Sequence, residues 1–159
     1  MSTTTSSPNV AAQILASAGV AEDWSYYGPY ASDDERAVLA VPQVIQGAWA
    51  TNDADMFANA FTADGSLLMG DHQLMSREEI RAFMAEAFAG DFRGARVSGW
   101  PLCVNFLTEG AAVVVTQGGI KLPGENEIAP EREIRAVWVI VAQEGTWRLL
   151  SHQSSPIKG

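Results

Sequence analysis

The side chains that could do acid–base chemistry in this sequence are few and far apart. The chain has two histidines, His72 and His152, and a histidine can take up or release a proton near neutral pH. Arg135 could bind a carboxylate or enolate oxygen of a ligand, or it could pair with Glu131 or Glu133 at the rim of a pocket. These residue types favour the binding of a small organic molecule, or proton transfer on it.

Each polar candidate also has a structural interpretation. His152 could be a half-buried histidine that bonds to a neighbouring strand or to a water molecule. Asp71 and His72 follow Gly70 in a predicted turn, where they could edge a pocket mouth or be solvated. The histidines and the scattered acids do not form a metal-binding cluster, and no glycine-rich loop follows a strand and opens a helix. We therefore expect no metal and no nicotinamide or flavin cofactor.

Length and composition are those of one acidic globular domain. The chain has 159 residues, of which 47% are hydrophobic and 18% are charged, so it can form a sizeable core. The net charge of −9 disfavours nucleic acid and anionic membranes as partners, because phosphate groups would be repelled. The single cysteine, Cys103, excludes an internal disulfide. The sequence shows no basic signal-peptide region and no apolar run of membrane-spanning length, so we expect a cytoplasmic protein.

Helical periodicity predicts three helices that position these side chains. Ser32, followed by acidic residues, is typical of a helix start, and the first helix runs to about Ala50. A second helix spans 53–61. A third begins after Ser76, which fits a capping box, and ends at Gly90.

A peripheral segment precedes the first long helix. Residues 1–31 contain a short helix that ends at Gly19 and an aromatic turn that includes Tyr26 and Tyr27. We expect the aromatic turn to lie across the domain surface or on a partner subunit, and the domain itself to span 32–159.

The second half of the chain has the alternating pattern of strands. A short strand at 66–70 precedes the third helix, and long strands are predicted at 93–107 and 111–117. A final hairpin turns at Glu144 and Gly145. Helices followed by antiparallel strands predict an α+β fold, in which a curved antiparallel sheet wraps over three helices.

Four motifs of the core occur in the order and spacing of a known superfamily. They are Trp49-x-x-x-Asp53, Phe57-x-x-x-Phe61-x-x-Asp64-Gly65, Ser76-Arg77-Glu78-Glu79-Ile80 and Gly145-Thr146-Trp147-Arg148-Leu149-Leu150-Ser151-His152-Gln153. The chain resembles the cone-shaped superfamily of nuclear transport factor two, ketosteroid isomerase and the SnoaL-like polyketide cyclases, and within it the SgcJ/EcaC group. The resemblance spans about 33 to 156. It implies a cone-shaped domain around a pocket, and a place in natural-product gene clusters such as those for enediynes.

The resemblance does not carry the isomerase chemistry with it. A ketosteroid isomerase needs a tyrosine, a carboxylate base and a protonated aspartate. In the register set by the Phe61-x-x-Asp64 motif and the final hairpin, these positions hold Ile45, Met69 and Val137. Apolar side chains can neither move a proton nor donate to an enolate oxygen, so we expect no steroid isomerase activity.

The same register implies which side chains face the pocket. His152 points inward alongside Leu150, and Arg135 alternates with Val137 and Val139, so that it shares their face. The predicted apolar lining consists of Trp49, Met69, Phe83, Trp100, Val137 and Leu150. Trp138, Ile140 and Trp147 then fall on the outer face of the sheet, which favours a homodimer through that face.

Three functions are compatible with this sequence. The first is binding of a hydrophobic natural-product intermediate, such as a polyketide or polyene, in a deep apolar cavity. The second is a cyclase-, isomerase- or hydratase-type enzyme that uses His152 with Arg135 or Asp71. The third is a structural dimer whose cavity is filled by its own side chains. We expect the first function, with a hydrophobic small molecule and a second copy of the chain as partners.

Overall fold

A computed structural model describes residues 10–158. Within this range the α-helices are α1 (Val10–Ser17), α2 (Asp33–Thr51), α3 (Ala54–Asn59) and α4 (Arg77–Ala89). The strands are β1 (Phe61–Met69), β2 (His72–Leu74), β3 (Arg96–Thr108), β4 (Ala111–Lys121), β5 (Glu133–Gln143) and β6 (Thr146–Pro156). Short 3-10 helices occupy Trp24–Tyr27 and Pro130–Arg132. No helix among the described residues is long and apolar enough to cross a membrane.

The six strands form one curved sheet in the order β2-β1-β6-β5-β4-β3. Neighbouring strands are antiparallel except β1 and β6, which run parallel. Helices α2, α3 and α4 pack against the sheet around one large apolar core. The predicted α+β fold is therefore confirmed, with one parallel strand pair, and the short helix predicted in the preceding segment is α1.

Helix α2 begins where the sequence predicts and forms one wall of the core. The Ser32 hydroxyl accepts a hydrogen bond from the Glu35 amide at 3.2 Å, and the Glu35 carboxylate accepts one from the Ser32 amide at 3.2 Å. This reciprocal capping box satisfies two amides at the helix start. The apolar positions Val38, Ile45 and Trp49 are all buried, so the periodic stripe faces the sheet.

Helix α3 ends earlier than its pattern suggests. The helix stops at Asn59, and Phe61 is already part of β1, where it pairs with Leu149 of β6. The rings of Phe57 and Phe61 nevertheless lie 5.7 Å apart. Both therefore enter the same core from two different elements.

Residues 10–31 pack against α2. Ala11 and Leu15 of α1 are buried in a small cluster with Ala40 and Val44 of α2. Further along the segment, Tyr27 is fully buried in the main core. The predicted domain start at residue 32 stays a prediction, and residues 1–9 lie outside the described part.

One extra residue in β6 decides which side chains of the final hairpin face inward. From the turn onward the pairing is regular as far as Ile140 and Leu149. The next pair is Val139 with Ser151, so Leu150 is the extra residue of a β-bulge. A shift of one residue exchanges the two faces of a strand relative to its partner.

Strand β4 continues through Gly118 and Gly119, although the sequence predicts its end at residue 117. A Cβ atom on Gly118 would lie 2.1 Å from the Ser98 carbonyl oxygen, and one on Gly119 would lie 2.3 Å from the Arg132 carbonyl oxygen. Glycine is required where backbones approach this closely. The two residues thus permit a close backbone contact rather than a break in the strand.

Candidate functional site

Helix α2 and the inner face of the sheet enclose a cavity of about 430 Å³. This volume falls within the range of roughly 300–1,000 Å³ that is typical of small-molecule sites. Its apolar lining includes Ile45, Trp49, Phe57, Met69, Ile134, Ala136 and Trp138. Its polar lining includes Tyr26, Asp71, Thr116 and His152.

A second depression, of about 570 Å³, lies between α1, α3 and the final hairpin. It is more open and more polar than the inner cavity, and it contains none of the candidate site residues. The inner cavity is therefore the candidate functional site.

His152 is a half-buried side chain in the wall of this cavity. Its ring stacks on Trp138 at 3.9 Å between centroids and an angle of 17°, and the Trp138 indole nitrogen donates to the Thr116 hydroxyl at 2.8 Å. The Nδ1 atom of His152 is buried and has no hydrogen-bond partner among the described residues. Burial lowers the pKa of His152 to about 4, against a smaller opposing effect of the Val137 backbone. The imidazole is therefore neutral at pH 7.

Four of the side chains predicted for the site line the cavity together. Trp49 belongs to α2, Met69 ends β1, and Asp71 lies in the turn that follows it. His152 completes the set from β6. Asp71 is exposed, so its carboxylate belongs to the mouth of the cavity rather than to its interior.

Arg135 and Val137 instead lie on the outer face of the sheet. In a regular hairpin, an inward His152 would stand opposite an inward Val137, but the bulge at Leu150 places His152 opposite Trp138. Val137 is 43% exposed, whereas Trp138 is 6% exposed. The Arg135 Nε atom donates to the Gln117 side chain at 3.3 Å. The predicted faces of β5 are thus reversed, and Trp138 lines the cavity instead of the outer surface.

Phe83, Trp100 and Leu150 also lie outside the cavity lining. Phe83 of α4 contacts His72, with their ring centroids 4.9 Å apart. Trp100 is 48% exposed because its side chain is on the face of β3 that points away from the core. Leu150 is the bulge residue, and its neighbour Leu149 takes the buried position.

Several cavity residues were not predicted from the sequence, and Trp138 and Tyr26 are the aromatic ones that matter most for the site. Trp138 was hidden by the bulge, which leaves no mark in the hydrophobic pattern. Tyr26 belongs to the segment that the sequence places outside the domain, yet it is 7% exposed and lines the cavity. In the sequence, only its position next to Tyr27 in an aromatic turn could have indicated that Tyr26 is buried.

Arg132 at the cavity wall is already paired with Glu125, and the described residues form no metal site. The guanidinium of Arg132 contacts both carboxylate oxygens of Glu125 and the Ile120 carbonyl. Across residues 10–158, no group of three or more His, Cys, Asp or Glu side chains is placed to hold a metal ion. The arrangement can enclose an apolar molecule and offer it a few hydrogen bonds.

Solved structures show the same fold at low sequence identity. A domain of unknown function with a cystatin-like fold from Nostoc punctiforme superposes with a TM-score of 0.72 and 24% identity, over 79% of this chain and 78% of that chain. A nuclear transport factor two-like protein from Novosphingobium aromaticivorans gives 0.67 and 15%, over 80% and 84%. A candidate scytalone dehydratase from the same organism gives 0.61 and 16%, over 75% and 80%.

The sequence itself supports a narrower assignment than the fold. No curated protein matches the chain. A family model for the SnoaL-like domain matches residues 38–158, which contain α3, α4, every strand and most of α2. The protein is therefore a member of the SnoaL-like domain family.

Proposed function

We propose that this protein binds a hydrophobic small molecule in the inner cavity. The observation that carries the proposal is a cavity of about 430 Å³ between α2 and the sheet, whose lining includes the apolar side chains Ile45, Trp49 and Trp138. His152 lies in the same wall and can present its ring to a bound molecule. An apolar wall with few polar groups is typical of ligand pockets.

The class of ligand that we propose is a polyketide or polyene-type intermediate of natural-product biosynthesis. This part rests on the motifs that resemble the SgcJ/EcaC group, such as Trp49-x-x-x-Asp53 and the closing stretch through His152. A long conjugated or polycyclic molecule is mostly apolar surface. Such a molecule would be shielded from water in this cavity.

A second candidate function is a cyclase-, isomerase- or hydratase-type enzyme. His152 and Asp71 line one cavity, and the fold is shared with a candidate scytalone dehydratase. The lowered pKa of His152 makes its imidazole a weak base, and Arg135 lies on the other face of the sheet. Both observations favour binding over turnover. Turnover of a substrate that is abolished in His152→Ala would favour the enzyme.

Retinol is a suitable probe for the binding function, because it is a polyene whose absorption overlaps tryptophan emission. Trp49 and Trp138 line the cavity, so bound retinol should quench their fluorescence saturably. Ala136 is 3% exposed and faces the cavity, and Ala136→Phe should fill part of it. We expect this variant to bind retinol at least about tenfold more weakly.

The matched control is Ala142→Phe, which introduces the same side chain on the same strand. Ala142 is exposed and lies outside the cavity lining, so its variant should bind as the wild type does. Absence of saturable quenching in the wild type, or equal affinities of the two variants, would contradict binding in the inner cavity.

We also propose that the protein forms a homodimer through the outer face of the sheet. This face carries four partly exposed valines on two paired strands, Val113 and Val115 of β4 opposite Val139 and Val137 of β5. Exposed apolar patches of this kind mark interaction surfaces. The residues differ from the predicted Trp138 and Ile140, which are buried inside.

Light scattering at micromolar concentration should give about twice the chain mass of 17.0 kDa. A carboxylate in the middle of the patch would be desolvated in the dimer, so Val137→Glu should shift the mass to that of one chain. Met75→Glu is the control, because Met75 is an exposed apolar residue at 60% exposure outside the sheet. A wild-type mass of 17.0 kDa would contradict the dimer.

A further inference from the structure

We propose that the hydroxyl of Tyr26 donates a hydrogen bond to an oxygen of the ligand, so that the cavity selects apolar molecules that carry a ketone or quinone-type carbonyl. This inference rests on the proposed binding function and adds the chemical group that the cavity recognises. It also gives a role to the segment that precedes residues 38–158, the part matched by the family model.

The three tyrosines of the chain differ in what their hydroxyls contact. The Tyr27 hydroxyl donates to the Glu22 carboxylate, and the Tyr30 hydroxyl donates to the Leu102 carbonyl at 2.7 Å. The hydroxyl of Tyr26 has no partner among the described residues, although the side chain is 7% exposed and lines the cavity. Because Tyr26 lines the cavity, the hydroxyl can bond to a molecule held there.

The backbone that carries Tyr26 is fixed by hydrogen bonds of the neighbouring residue Asp23. The Asp23 carboxylate caps the 3-10 helix by accepting from the Ser25 amide at 2.9 Å. Gln43 of α2 binds the same residue twice, accepting from the Asp23 amide at 2.9 Å and donating to its carbonyl at 3.3 Å. A donor held in place before binding loses little conformational freedom when a ligand arrives.

The chemistry of Tyr26 and His152 favours a carbonyl as the ligand group. Burial raises the pKa of Tyr26 well above its ordinary value, so the phenol stays protonated and can donate. A carbonyl oxygen accepts through two lone pairs and brings no donor of its own. The neutral imidazole of His152 can donate or accept according to its tautomer. A pure hydrocarbon would displace water from the phenol and leave it unpaired, which is unfavourable.

Fluorenone and fluorene test this inference because the two molecules have nearly the same shape. Fluorenone carries a carbonyl group where fluorene carries a methylene group. Equilibrium dialysis gives the affinity of the wild type and of Tyr26→Phe for each probe. We expect the fluorenone-to-fluorene affinity ratio to fall about fivefold in Tyr26→Phe, the value of one neutral hydrogen bond. The ratio should not change in Tyr30→Phe, whose lost hydroxyl contacts Leu102.

The outcomes separate this inference from the proposed function. If Tyr26→Phe binds both probes with the wild-type ratio, the carbonyl contact is wrong and cavity binding stands. If the wild type binds retinol but neither fluorenone nor fluorene, the carbonyl contact is wrong; if it binds none of the three, both proposals are overturned. A fluorene affinity in Tyr26→Phe that equals or exceeds the wild-type value shows that the variant is folded, because fluorene makes no hydrogen bond and no longer leaves a phenol unpaired.

Discussion

Replacement of Arg36 by methionine is expected to lower the free energy of unfolding by about 3 kcal/mol. Arg36 is 7% exposed, and its guanidinium donates to the Glu22 carboxylate at 2.8 Å while it lies 3.9 Å above the Trp24 ring. Methionine would keep most of the apolar volume but would leave the Glu22 carboxylate without its cation. A buried carboxylate without its cationic partner is far less favourable than either the intact ion pair or two apolar side chains.

Urea unfolding, extrapolated linearly to water, measures this loss. Arg81→Met is the matched control, because Arg81 also bonds to two acids, Asp55 and Glu78, whose side chains are each 76% exposed. Exposed ion pairs contribute little, so this variant should lose less than about 1 kcal/mol. Similar losses in the two variants would contradict a special contribution from the Arg36–Glu22 pair.

The wild type is expected to lose about 2 kcal/mol of stability between pH 6.5 and pH 4 that a His152→Gln variant retains. The pKa of His152 in the folded state is about 4, below its ordinary value of 6.5. As the pH falls through 6.5, the unfolded chain binds a proton that the folded chain does not. Stability therefore decreases as the pH is lowered, until the folded chain also binds this proton near pH 4. The partial exposure of the ring reduces the effect from the larger value that the full shift would give.

Urea unfolding of both proteins at several pH values isolates the His152 contribution, because the acidic groups are common to both. His72→Gln is the control: His72 is exposed on β2, and its variant should follow the pH dependence of the wild type. Parallel curves for the wild type and His152→Gln would show that His152 titrates alike in the folded and unfolded chain.

The elements of this fold could be predicted because their signals are local. The capping serine and acids of α2, the stripe that includes Ile45 and Trp49, and the alternation of β3 to β6 each lie within a short stretch of sequence. The Glu144–Gly145 turn has two residues with positive φ, at 53° and 79°, which is typical of a two-residue hairpin turn. Such features depend little on the rest of the chain.

The cavity lining was predicted only in part. It depends on which face of the sheet each strand residue occupies and on contacts between segments that are far apart in sequence. The extra residue Leu150 reverses the face of Val137 and Trp138 relative to His152, and a bulge has no signature in the alternation of an apolar strand. Tyr26 reaches the cavity through contacts with α2 that are about 20 residues away in sequence, such as that between Asp23 and Gln43. The alternation of apolar and polar residues along one strand indicates neither a bulge nor a contact with a distant segment.

The close backbone approach at Gly118 and Gly119 means that one wall of the cavity cannot change its shape through substitution, whereas the opposite wall can. Any side chain at these two positions would collide with the backbone of Ser98 or Arg132, so substitution cannot reshape this end of the site. Side chains such as Ile45 and Tyr26, which enter from the helical side, are not restricted in this way. Ligand preference among related proteins should therefore diverge through the helix α2 and its preceding segment, while the glycine-bearing strand stays constant.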